Sequence, residues 1–174
     1  MKKIISFGRG MVYIVVDTHS EALDDYMLSL YISLKSFHLR VTLISVKHVH
    51  FLCPTIILPN MLSCFSYIEE NVKNSIIFFI QANLLFKSDS YKFNESNKLI
   101  YFNRDPYDRN CDRIMKLWRR GFFIMEYYKG NQEKFTDHLN KNAVKLECYR
   151  SYCIPHLYNR YDLLYNLNKI NPLE

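Results

Sequence analysis

Short apolar runs that alternate with helically spaced stretches constrain this chain more than any other feature. Met11–Val16 (MVYIVV) is aliphatic or aromatic at every position and ends at Asp17. A strand apolar on both sides suits a parallel sheet covered on both faces better than an antiparallel sheet with one wet face. Thr18 and Glu21 then have the spacing of a capping box. Leu23, Met27, Leu30, Tyr31 and Leu34 follow at helical spacing, which predicts an amphipathic helix over about residues 20–36. Leu39–Val46 (LRVTLISV) reads as the next strand, with Val41, Leu43 and Ser45 on one face. Thr55–Leu58 (TIIL), bracketed by Pro54 and Pro59, reads as a third.

The rhythm continues to the end of the chain. Met61, Phe65, Ile68 and Val72 form one helix face, and Ser75–Ile80 (SIIFFI) is a fourth buried strand. Residues 82–97 are rich in Ser, Asn and Lys and predict an exposed excursion with a short helical turn. Leu99–Phe102 is a short strand. Asp105-Pro106 then opens a helix whose buried stripe is Cys111, Ile114, Met115 and Trp118, ended by Gly121. Phe122–Tyr127 reads as a strand, Gly130 starts a helix carrying Phe135 and Leu139, and Val144–Cys148 is a last strand. Leu157, Tyr161 and Leu164 suggest a short closing helix after Pro155. Strand–helix alternation favours a three-layer α/β fold with a mainly parallel sheet. The organisation read from it is an N-terminal extension (1–10), an α/β domain (11–155) and a C-terminal helix and tail (156–174).

Composition narrows the class. With 174 residues, 49% hydrophobic and 23% charged, the chain suits one globular core rather than disorder. It has 4 glycines, which argues against phosphate-cradling loops. No GKS or GKT is present, and Gly8-Arg-Gly10 precedes the first strand instead of following it, so neither a P-loop nor a dinucleotide fingerprint is expected. The net charge of +6 permits contact with phosphate, anionic lipid or acidic sugars but selects none of them. Five cysteines (Cys53, Cys64, Cys111, Cys148, Cys153) without a CxxC pair, and no signal-like start, point to a reducing, cytoplasmic setting. No apolar stretch approaches the roughly 20 residues that a spanning helix needs.

In an open parallel sheet, ligands bind beyond the carboxyl ends of the strands. The residues expected there are Asp17, Thr18 and His19 after the first strand, Asn60 after the third, Gln81 after the fourth and Arg104 after the fifth. His19 has the pKa range of a general base, and Asp17 could orient it or accept a hydroxyl hydrogen bond. The competing reading is that Asp17–Ser20 merely cap a helix. His48, His50 and Cys53 are the densest set of metal-ligand types, but a closed zinc site needs more donors, and no metal or cofactor is expected. Arg109, Arg113, Lys116 and Arg120 form a basic stripe at helical spacing, either a solvated face or a contact for an anionic membrane surface. The dispersed tyrosines follow no stacking motif, so no specific nucleic acid is expected as partner.

The stretch from Asp17 to Lys35, followed by LRVTLISV and then CPTIILPN, resembles the N-terminal domain of GT-B glycosyltransferases of surface-carbohydrate biosynthesis. FFIMEYYKGNQEKFTDHL is similar to that family's strand–Gly–helix segment. CIPHLYNRYDLL is similar to its turn near the interdomain linker, through Arg160, Asp162, Leu163 and Leu164. The resemblance implies a single Rossmann-like domain on the acceptor side, acting in surface-polysaccharide assembly, with an acceptor glycan or lipid-linked sugar as partner. In that family a second domain binds the sugar donor, and the chain stops at Glu174 without one. The expectation is therefore a half-enzyme, truncated or one subunit of a split pair, inactive alone and cytoplasmic or peripheral to the inner face of the membrane. The alternative is a non-catalytic interaction protein of a mobile element or virus.

Overall fold

The computed structural model describes residues 11–16, 21–49, 52–80, 82, 84–87, 90–103, 107–126 and the isolated positions 130, 133, 134 and 137, with backbone alone for 21–25, 87, 107–110 and 126. In chain order the elements are β1 (Val12–Val16), α1 (Glu21–Ser36), β2 (Val41–Ser45), β3 (Thr55–Ile57) and α2 (Met61–Asn71). They are followed by β4 (Ile76–Ile80), α3 (Leu84–Lys87), β5 (Lys98–Asn103), α4 (Tyr107–Arg119) and β6 (Phe123–Glu126).

The six strands form one sheet in the order β3-β2-β1-β4-β5-β6, and every pairing is parallel. Parallel neighbours need crossovers, and the right-handed sense of such crossovers fixes the face on which each helix lies. The chain moves outward from β1 to β3, then crosses back to β4 and moves outward the other way. Helix α1 therefore covers one face, while α2, α3 and α4 cover the other. Side-chain packing follows that division: Val12, Ile14 and Val16 of β1 pack with Met27 and Tyr31 of α1. Val15 packs on the opposite side with Phe65 and Ile68 of α2 and Ile114 and Leu117 of α4. The chain is thus a Rossmann-like α/β domain in three layers.

Local chemistry sets the element ends. Helix α1 closes with His38 N–H donating to Lys35 O (2.8 Å) and Leu39 N–H to Leu34 O (3.4 Å). His38 takes the left-handed conformation (φ +58°) that such a stop requires and that glycine more often supplies. This turn uses Leu39, so β2 begins at Val41 rather than at Leu39. The link from β2 to β3 contains no helix among its described residues; Leu52 and Cys53 fill the α1 face there instead.

The excursion expected to be exposed over 82–97 is not a plain surface loop. Leu85 and Asn97 are buried, and Tyr91 and Phe93 are half-buried. Phe65 meets Phe79 (5.8 Å), Tyr91 (4.8 Å) and Phe93 (5.9 Å) edge-on, ring centre to ring centre. Such edge-to-face pairs contribute roughly 0.5–1.5 kcal/mol each beyond their burial. Polar composition concealed two aromatic anchors at alternate positions. In α4 the buried stripe also includes Leu117, while Cys111 and Trp118 are half-buried. The expected strand Val144–Cys148, the helix side chains Phe135 and Leu139 and the closing helix with Leu157, Tyr161 and Leu164 lie outside the described residues, as do the segments 1–10 and 156–174. No helix among the described residues is long and apolar enough to cross a membrane.

Candidate functional site

Strand order reverses between β1 and β4. The chain leaves β1 toward the α1 face and leaves β4 toward the opposite face, so their carboxyl ends flank the position where an open parallel sheet offers a crevice. The register pairs Val16 with Ile80, and Ile80 with Phe102. Asp17 and Gln81 are covalently next to a directly paired couple of residues. Asp17, Thr18, His19, Gln81 and Arg104 themselves lie outside the described residues.

Asn60 is described. It is the N-cap of α2, its backbone extended, and its Oδ1 accepts from Ser63 N–H (2.9 Å) and from the Ser63 hydroxyl (3.1 Å). Capping of this kind satisfies a helix N–H that would otherwise lack a partner. The residue is exposed, and its side-chain oxygen is committed to the helix. Of the residues expected at the ligand end, it is the one for which a structural role is evident.

Two buried polar side chains at the carboxyl end complete the described part of the site. Ser45 ends β2, and its Oγ accepts from Lys47 N–H at 3.3 Å. Asn103 ends β5, is fully buried and is paired in register with Glu126. Asn103 was not singled out by sequence reasoning. Its signal was present: a single polar amide closing the apolar run LIYF, one position before Arg104.

The described members of the basic stripe of α4 have different surroundings. Arg113 and Lys116 are exposed, with the Arg113 guanidinium 5.7 Å from the centre of the Phe86 ring. Arg120 turns back into the fold, donating to Leu85 O (3.1 Å) and Tyr91 O (3.3 Å) and lying over the Phe122 ring. It fastens the 84–97 excursion to the end of α4. The Arg109 side chain lies outside the described residues.

The two buried thiols, Cys53 and Cys64, are not activated. Burial pushes the Cys53 thiol up to about 12 and that of Cys64 up to about 11, so both stay protonated and unreactive at neutral pH. Strand β2 ends at Ser45, and His48 is an exposed residue beyond it, while His50 lies outside the described residues. No group of three His, Cys, Asp or Glu side chains gathers among the described residues.

No protein-family model, curated protein or solved structure matches the chain. What defines its class is the sheet itself, that of a Rossmann-like α/β domain.

Proposed function

We propose that this chain is the acceptor-side half of a GT-B-like glycosyl-transfer system acting in surface-polysaccharide assembly. The observation that supports the reading is the sequence Asp17-Thr18-His19-Ser20, which directly follows β1 in the chain. A dinucleotide or nucleotide site would need glycines there, so that backbone N–H groups approach phosphate closely. This stretch has no glycine and opens with a carboxylate, which repels phosphate and accepts hydrogen bonds from hydroxyl groups. A polyhydroxylated, uncharged ligand fits that chemistry. The resemblance over residues 11–165 adds the family.

In this reading Asp17 binds sugar hydroxyls of the acceptor and His19 takes the proton from the attacking hydroxyl. Gln81 and Arg104 hold the acceptor from the β4 and β5 side. The donor, with its departing diphosphate, is handled by a separate domain or subunit, since a leaving diphosphate needs cationic or N–H stabilisation. The acceptor is a glycan or a lipid-linked sugar, and a lipid carrier would hold the domain at the inner face of a membrane.

Calorimetric titration tests this with oligosaccharides on one side and nucleotides and nucleotide sugars on the other. The expected result is oligosaccharide binding weakened about tenfold or more by Asp17→Ala, the loss of one charge-assisted hydrogen bond. No release of nucleoside diphosphate is expected from the chain alone. Turnover by the isolated chain that His19→Ala abolishes, or binding of a dinucleotide in place of sugars, would contradict it. Binding of neither class would favour the interaction-protein alternative.

A further inference from the structure

On the face of the sheet that α2 covers, one corner at the amino end gathers three hydroxyl groups and a cation. Side chains alternate between faces along an extended chain. Leu39, Val41 and Leu43 pack on the α1 side, which leaves Arg40, Thr42 and Ile44 on the α2 side. Tyr13 of β1 packs on that side too and is paired in register with Thr42, about 4.8 Å away across the strands. Arg40 is exposed and lies roughly 7 Å from Thr42 along the chain, with its carbonyl accepting from Val12 N–H (2.8 Å). Tyr67 of α2 packs against the same core as Tyr13. Burial first, and the neighbouring Tyr67 phenol second, raise the Tyr13 hydroxyl above its ordinary 10.0, so at neutral pH it is a donor. Tyr13 stands on a central strand, yet it is only half-buried, as are Thr42 and Tyr67. Among the described residues, none is hydrogen-bonded to the side chain of Tyr13, Arg40, Thr42 or Tyr67. Of the acids on α2, Glu69 is engaged on the opposite flank by Lys92 N–H, and Glu70 is exposed three residues past Tyr67.

We propose that this corner binds a phosphate monoester, with the Arg40 guanidinium supplying the charge and the Tyr13, Thr42 and Tyr67 hydroxyls donating to the phosphate oxygens. A guanidinium carries donors and no acceptor, and its fork matches two oxygens of a phosphate. Each hydroxyl rotates to donate where an acceptor is offered. Packing alone would be served as well by phenylalanine at position 13; the hydroxyl adds a donor at the base of the corner. Tyr13 and Thr42 are held by the sheet and Tyr67 by a helix, so little order is lost when a ligand arrives. The Tyr67 ring and the half-buried Ile56, on the same face of β3, offer apolar surface to the body of the ester. The site lies at the opposite end of the sheet from the residues assigned to the glycan acceptor and does not depend on that reading.

Amide spectra of the isotope-labelled full chain, titrated separately with phenyl phosphate, inorganic phosphate and phenol, test it. Phenyl phosphate should give saturable shifts at Tyr13, Arg40 to Thr42 and Tyr67 to Asn71. It should bind about tenfold more tightly than inorganic phosphate, and phenol should give no saturable shift. Arg40→Gln should weaken phenyl phosphate binding about tenfold. Tyr13→Phe and Thr42→Val keep the side-chain shape and should weaken it about fivefold each. Glu70→Gln should strengthen it about twofold by removing a nearby like charge. Arg113→Gln, exposed on α4, should leave it unchanged. The spectrum of each free variant, unchanged away from the substituted position, verifies that it folds. No saturable shift with phenyl phosphate, an equal response to phenol, or inorganic phosphate binding as tightly as the ester would overturn the proposal. So would shifts centred on α4 or on the carboxyl end, or undiminished binding in Arg40→Gln and Tyr13→Phe. No sugar enters this titration, so its outcome is separate from that of the glycan reading.

Discussion

Among the described residues, the hydrogen bonds seen at the two ends of the sheet include different kinds. At the amino end, side chains join segments far apart in sequence. Asn97 Nδ2 donates to Val72 O (2.7 Å) and its Oδ1 accepts from Ser75 N–H (3.1 Å), both inside the protein. Asn74 N–H donates to the Ser96 hydroxyl (2.8 Å), which lets Asn74 keep its left-handed backbone. At the carboxyl end two described side-chain bonds are local, Ser63 N–H to Asn60 Oδ1 and Lys47 N–H to Ser45 Oγ. One end is closed by long-range ties that fix where β4 and β5 begin. At the other, the described bonds include short-range caps at Asn60 and Ser45. Long-range ties of this kind keep one end of a scaffold rigid.

The comparison breaks most visibly at Asn97. Asn97→Ala leaves one buried acceptor and one buried donor unpaired and should cost about 2–4 kcal/mol in urea unfolding. A loss no larger than that of a surface substitution would mean that the amino end is not closed by this residue. Arg120→Lys keeps the charge but not the fork that reaches Leu85 O and Tyr91 O. It should cost about 1–2 kcal/mol, with amide exchange quickening over residues 84–97 and not in β1 or β2. At the other end, Asn60→Ala removes the α2 cap and should cost about 1 kcal/mol. Ordering these three by urea midpoint tests the asymmetry itself.

The smallest effect is on pH. Burial raises the Cys53 and Cys64 thiols above the ordinary value of 9.0. The folded protein therefore holds protons that the unfolded chain gives up, so this contribution is complete below pH 9.0 and is lost as pH climbs toward about 11 and 12. The melting temperature should fall with rising pH in that window, and more gently in Cys64→Ala. Peptide mass mapping after brief alkylation at neutral pH should find the half-buried Cys111 modified before Cys53 or Cys64.

The strands were legible because each is an uninterrupted apolar run, and a run that is wet on neither side leaves few alternatives to a covered parallel sheet. Their ends were less so. Leu39 and Arg40 look like strand residues, yet the helix stop at His38 claims the backbone before them. Tyr91 and Phe93 escaped notice because the eye follows the polar residues between them, while packing follows the rings. Asn97 carries no sequence mark that separates it from its surface neighbours Asn94 and Ser96; its role comes from chain crossing, which spacing does not encode. Strand-following positions can be read from the sequence as a set, because a parallel sheet puts them all at one end, but Asp17, Thr18, His19, Gln81 and Arg104 lie outside the described residues. Asn60 shows the limit of that logic, for a residue at the right end can be occupied by the helix it starts.

The most direct measurement is a two-dimensional amide spectrum of the isotope-labelled chain titrated with acceptor oligosaccharides. The account expects saturable shifts at Val16, Asp17 to Ser20, Ile80 and Gln81, with the Asn97 and Lys98 amides at the amino end unmoved. Shifts centred on the amino end or on α4, or saturable shifts with a nucleotide and none with a sugar, would contradict it.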